Sequence, residues 1–166
     1  SGALQPLAIS GAERPDVRGW FAVLGLVLLA TTFNNLSAAA EFANPTFQYA
    51  ITERLGGLGN AYLGLARGGA LVSASICGVA VVLMALRSTV ARSAAVSALA
   101  ISAAFLVMMI ALSVAGAEAS GRDADLADAF AIQALASGAK VVIIGGILAY
   151  IVRSAKLRTA YGPFRW

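Results

Sequence analysis

Four apolar segments, each of 19 residues or more, dominate this 166-residue chain. A helix needs about 20 residues to cross a hydrocarbon core of about 30 Å, because each residue adds about 1.5 Å. The segments are mostly apolar around their full circumference, and none alternates as a membrane β-strand does. They predict four transmembrane helices, at about 20–42, 68–86, 93–116 and 129–152.

The composition excludes an ordinary soluble domain. Hydrophobic residues make up 60% of the chain and charged residues only 12%, whereas soluble domains carry about 25% charged residues. Such a chain has too few polar groups to cover a water-exposed surface. The sequence therefore predicts an all-α integral membrane protein whose four helices form a compact bundle.

The basic residues predict how the four spans are oriented. Eight of the 12 lysines and arginines flank the spans on one side, and three lie on the other side. Positive residues favour the cytoplasmic side, so both termini are expected there, in a bacterial inner membrane or an organelle inner membrane. An N-terminal arm (1–19) and a basic, aromatic tail (153–166) flank the transmembrane domain (20–152).

The link from Ala43 to Arg67 is the longest one on the non-cytoplasmic side. The stretch "TFQYAITERL", which starts at Thr46, places its apolar residues three and four apart, as an amphipathic helix does. Glycines at 56, 57 and 59 are expected to end this helix. We expect it to lie along the membrane interface; the alternative is a re-entrant or substrate-facing loop.

A few polar residues lie within the predicted spans. Lys140 is near the centre of the fourth span, where a charge is costly and usually faces a partner or a water-filled cavity. Two interpretations remain open: a polar pocket for a proton, an ion or an amphiphile, or hydrogen bonds that join helices. Neighbouring residues point about 100° apart on a helix, so Asn34 and Asn35 cannot both face one neighbour squarely. The candidate set is Lys140, Asn34, Asn35, Glu41 and Gln133.

Small residues recur at helical spacing in the second and fourth spans. Rows of glycine and alanine let helix backbones approach closely in a membrane. These rows predict helix packing but no particular partner. The predicted packing residues are Gly64, Gly68, Ala70, Ala74, Gly78, Gly138, Gly145 and Gly146.

The residue types give no sign of an enzyme. The chain has no histidine and one cysteine, Cys77, so the commonest general base and the commonest metal ligand are missing. The acidic stretch "DADLAD", from Asp123 to Asp128, lacks the glycine and distal glutamate of a calcium loop. It is expected to begin a helix. We predict no catalytic residue, no metal and no cofactor.

The remaining features favour a non-catalytic accessory or structural subunit of a larger membrane complex, such as a respiratory or photosynthetic one. The expected partners are membrane lipids and other membrane subunits, with a homo-oligomer as the alternative, and no nucleic acid. The alternative function is a small oligomeric transporter or channel, which would use the polar patch around Lys140, Asn34 and Asn35.

Overall fold

A computed structural model describes residues 18–86, 90–121 and 123–153, with side chains from Ala22 onward. Four helices fill these ranges, and each is long and apolar enough to cross a membrane. The predicted all-helical architecture with four candidate spans is therefore confirmed. The predicted arm (1–19) and tail (153–166) lie outside the described residues, apart from their innermost positions. The helices are α1 (Arg18–Phe42), α2 (Pro45–Ala85), α3 (Ala91–Ala119) and α4 (Ala124–Arg153).

The helix α2 contains both the predicted link helix and the second predicted span. Asn44 caps its start, because the Oδ1 of Asn44 accepts a hydrogen bond from the backbone N–H of Thr46 at 2.9 Å. The helical geometry is interrupted at Gly56, where φ is 55° and ψ is −126°. The other two glycines, Gly57 and Gly59, stay helical, so the helix that contains the second predicted span runs on from residue 57.

The short first part of α2, here called the Pro45–Leu55 segment, folds back against the part that follows Gly56. Ile51 lies against Gly59, and the hydroxyl of Thr52 donates to Asn60 Oδ1 at 3.2 Å. At the far end of the segment, Arg54 forms an ion pair of 2.8 Å with Asp123, next to the start of α4. These contacts fix the segment at one end of the bundle, here called the Phe42 end.

Asp123 also starts α4. Its Oδ1 accepts a hydrogen bond from the backbone N–H of Leu126 at 3.2 Å, as a helix-capping carboxylate does. The acidic stretch therefore begins a helix, as the sequence predicts.

The helices pack in chain order. α1 packs on α2, α2 on α3 and α3 on α4, whereas α1 and α4 make very few contacts. Within the described residues, the bundle is consequently open along one side, where a groove separates α1 from α4.

The buried core has two halves. One is mainly aliphatic and includes Leu28, Leu99 and Ile144. The other lies at the Phe42 end, where Tyr62 contacts Phe130 edge-on with ring centroids 5.2 Å apart. Large apolar side chains also cover the outer surface, which suits contact with lipid rather than water. Examples are Leu26, Phe33, Leu135 and Val142.

The predicted packing residues fall into two groups. Ala70 and Ala74 are buried between helices, and Gly78 lies beside Thr32. The other five glycines have open space where a side chain would stand: Gly64, Gly68, Gly138, Gly145 and Gly146. Among the described residues, close contacts occur instead at three other glycines: Gly59 lies against Ile51, Gly69 under the ring of Phe105, and Gly116 under the ring of Phe130.

Candidate functional site

Lys140 reaches across the groove from α4 to α1. Its Nζ donates a long hydrogen bond, 3.5 Å, to Oδ1 of Asn34. This hydrogen bond joins α4 to α1. It lies in a groove that few other contacts close.

Most of the predicted polar set lines one cavity of about 460 Å³. Lys140, Asn34, Glu41 and Gln133 all face it, from α1 and α4. Its volume lies within the range of about 300–1,000 Å³ that is usual for small-molecule sites. Aromatic side chains from α1, α2 and α4 complete the wall: Phe42, Phe47, Tyr62 and Phe130.

Lys140 and Glu41 carry opposite charges but form no ion pair in the described part of the chain. Glu41 lies seven residues beyond Asn34 on α1, which is about 10 Å of rise. An ammonium has three N–H donors, and Lys140 uses one of them on a neutral amide at 3.5 Å. The cavity thus holds a cation with unused hydrogen-bonding capacity.

Asn35 has a different role from Asn34. Its side chain is only 5% exposed, and its Nδ2 donates to the Oγ of Ser73 on α2 at 2.8 Å. Ser73 in turn lies 2.6 Å from the Oγ of Ser102 on α3, and Cys77 lies 3.3 Å from Ser102. The hydrogen-bond network that begins at Asn35 therefore joins three helices, whereas Asn34 faces Lys140.

The sequence does not predict the buried network around Ser102. The sequence feature that points to this network is a serine in the middle of each of two neighbouring apolar segments, Ser73 and Ser102. A serine is small enough to pass as part of a row of packing residues. Hydrogen bonds between spans contribute about 0.6 kcal/mol each on average, so this network supports the fold more than it marks a binding site.

A second cavity, of about 260 Å³, continues the groove on the other side of Lys140 and Asn34. Lys140, Asn34, Asn35 and Ser102 also line it, but its walls are otherwise mainly aliphatic. Its apolar lining includes Val27, Ala30, Leu106, Ile143, Ile144 and Ile147. The groove therefore carries more polar groups on the Phe42 side of Lys140 than on the other side.

We expect Ser102→Ala to lower the free energy of unfolding by about 1 kcal/mol, because it removes two buried contacts between spans. Unfolding in mixed detergent micelles, followed by circular dichroism, would measure this change. The control is Ser75→Ala: Ser75 is exposed, and its hydroxyl bonds only the Leu71 carbonyl of its own helix. An equal loss in both variants would contradict a role for the network.

In the described part of the chain, no three histidine, cysteine, aspartate or glutamate side chains come together in a way that could hold a metal ion. The arrangement at the groove offers instead a cation, amide groups and a hydroxyl beside an apolar channel. These groups can bind an anion or a polar head group.

Comparisons with protein-family models, with curated proteins and with solved structures found no match to this chain.

Proposed function

We propose that the chain is a non-catalytic accessory subunit of a larger membrane complex. The observation that carries this proposal is a face of small residues on α2 that the chain's own helices leave uncovered. Gly57, Ala61, Gly64 and Gly68 are all exposed and follow one another at spacings of four, three and four. Lipid does not require such a face, whereas a neighbouring helix packs closely against one.

A second face of the same kind lies on α4. Ala131, Gly138, Gly145 and Ala149 recur at spacings of seven and four, which places them on one side of the helix. The glycines have no neighbour within 4 Å of a side-chain position. Two separate uncovered faces favour an assembly in which this subunit contacts more than one helix of its surroundings.

The charge distribution supports an orientation for this subunit. Both termini would face the cytoplasm or the equivalent organelle compartment, since most basic residues flank the spans on that side. The Pro45–Leu55 segment would then lie along the opposite interface of a bacterial or organelle inner membrane. Its exposed Phe47 and Tyr49 suit that position.

Substituting larger side chains on the uncovered face of α2 tests this function. We expect Gly64→Leu combined with Gly68→Leu to release the chain from its complex, because two leucine side chains would hold the partner helix away. The wild-type and variant chains would be purified from the native membrane in a mild detergent and analysed by native mass spectrometry. The matched control is Val72→Leu, a change at an exposed, already large side chain of the same helix.

The proposal is supported if the wild type and Val72→Leu are recovered in a large assembly with other chains in fixed stoichiometry, and the variant with leucine at both glycine positions is not. Recovery of the wild-type chain alone, as a monomer or a homo-oligomer, would overturn the proposal.

A small oligomeric transporter or channel is the second candidate, and the cavity at Lys140 is the observation that favours it. In that case the wild-type protein reconstituted in liposomes should carry ions or amphiphiles across the bilayer. Lys140→Leu should remove the flux. A homo-oligomer with Lys140-dependent flux would favour this function over the subunit.

A further inference from the structure

The groove between α1 and α4 has one compartment with several polar side chains in its wall, here called the polar compartment, and one with fewer, here called the apolar compartment. The polar compartment is the cavity of about 460 Å³, and the apolar compartment is the cavity of about 260 Å³. Lys140 and Asn34 line both, so they mark the boundary. This is the arrangement that a molecule with a polar head and a hydrocarbon chain requires.

The positive charge of Lys140 at this boundary favours a negatively charged head group. Lys140 lies in the interior of an apolar helix, where an uncompensated charge is expensive, and its only hydrogen bond in the described part of the chain is to Asn34. An anion beside Nζ would form a charge-assisted hydrogen bond, which is about twice as strong as a neutral one. Amide N–H groups of Asn34 and Gln133 in the same wall can donate to the same anion.

We propose that this groove binds a long-chain amphiphile with an anionic head group, a carboxylate or a phosphate. The head group occupies the polar compartment beside Lys140, and the hydrocarbon chain occupies the apolar compartment between Ala30 and Ile147. The open side of the groove gives access from the bilayer. Binding does not depend on the proposed subunit function, because a lone chain and an assembled chain would both present the groove.

The shape of the groove favours a narrow hydrocarbon chain over a helix of another protein. The polar compartment is lined at the Phe42 end by Asn44, Phe47 and Ile51, at the start of α2. A transmembrane helix is about 10–12 Å wide with its side chains and would meet these residues if it followed the groove along its length.

Among the described residues, Glu41 is the acidic side chain that lines the polar compartment. It forms no ion pair with Lys140 and lies about two helical turns from Asn34 along α1. The head group is placed beside Lys140, because Coulomb attraction is strongest at short distance. Glu41→Gln should strengthen binding of the anion, whereas Lys140→Met should weaken it.

The test measures binding of cis-parinaric acid, a fluorescent fatty acid, and of its uncharged methyl ester. The full chain would be purified in non-ionic detergent, and the signal of protein-free micelles would be subtracted. We expect the acid to bind the wild type and Glu41→Gln. Binding to Lys140→Met should be weaker by about tenfold or more, the loss expected for one charged hydrogen bond, and Lys140→Arg should restore it. The ester should not distinguish the lysine variants.

A second variant tests the apolar compartment. Ala30→Leu places a larger side chain in the compartment that would hold the hydrocarbon chain, and it should weaken binding of the acid. Ala40→Leu is the control, since Ala40 is an exposed residue of the same helix that lines neither compartment. Thermal unfolding of each variant would show whether it keeps the fold of the wild type.

Equal binding of the acid to folded wild type and folded Lys140→Met would overturn the proposal, as would equal binding of acid and ester to the wild type. Loss of a co-purifying membrane protein in Lys140→Met, with ligand binding unchanged, would assign the groove to a protein partner instead. Mass spectrometry of lipid extracted from the natively purified protein would separate the sources: a free fatty acid for a carboxylate head, a phospholipid for a phosphate head.

Discussion

Gly56→Ala is expected to lower the free energy of unfolding by about 1–3 kcal/mol. Gly56 has φ 55° and ψ −126°, a conformation that glycine adopts freely and residues with a Cβ adopt only with strain. No neighbouring atom lies within 4 Å of the position that a Cβ would take. The loss would therefore come from the backbone alone.

The adjacent glycine provides the control for this prediction. Gly57 also has open space around its Cβ position, but its backbone is helical. Alanine is favoured over glycine within a helix by about 0.5–1 kcal/mol, so Gly57→Ala should leave stability unchanged or raise it. Both variants would be unfolded in mixed micelles and followed by circular dichroism. Equal stability of the two variants would contradict the backbone geometry at Gly56.

Gly59→Ala is expected to cost about 1–3 kcal/mol, for a steric reason. A Cβ at Gly59 would lie 2.7 Å from the carbonyl oxygen of Ile51 and 3.1 Å from its carbonyl carbon. These are backbone atoms, so the clash cannot be relieved by rotating a side chain. The Pro45–Leu55 segment would have to move away from the rest of α2.

The matched control is Gly64→Ala on the same helix, where a Cβ meets no atom within 4 Å. This control should be neutral or slightly stabilising in the same unfolding measurement. If Gly59→Ala were as stable as Gly64→Ala, the close packing of the segment against Gly59 would be disproved.

Gly56 and Gly59 also influence the shape of the candidate site. The break at Gly56 and the close approach at Gly59 hold Ile51 in place, and Ile51 lines the polar compartment together with Phe47. Either substitution should therefore change the compartment at the Phe42 end. Lys140 and Asn34 lie on other helices, so their hydrogen bond should persist.

The sequence by itself determined that the chain has four long apolar helices. The physical reason is the bilayer, which requires about 20 apolar residues per span and hydrogen bonds within each segment. A helix in residues 46–55 also followed from the spacing of apolar residues. Of the three glycines expected to end it, only Gly56 leaves helical geometry. The polar set around Lys140 could be identified because each charged or amide group inside a span is costly.

Only the tertiary structure decided which helix faces meet. The spans are apolar on all sides, so their sequences do not distinguish a face that touches lipid from one that touches a helix. For this reason the sequence could not assign Asn35 to the buried network with Ser102 and Asn34 to the groove. It also could not show that Gly69 and Gly116 lie under aromatic rings while Gly64 and Gly68 remain uncovered. These assignments depend on how the helices rotate and pack, and packing is set by contacts between residues far apart in the chain.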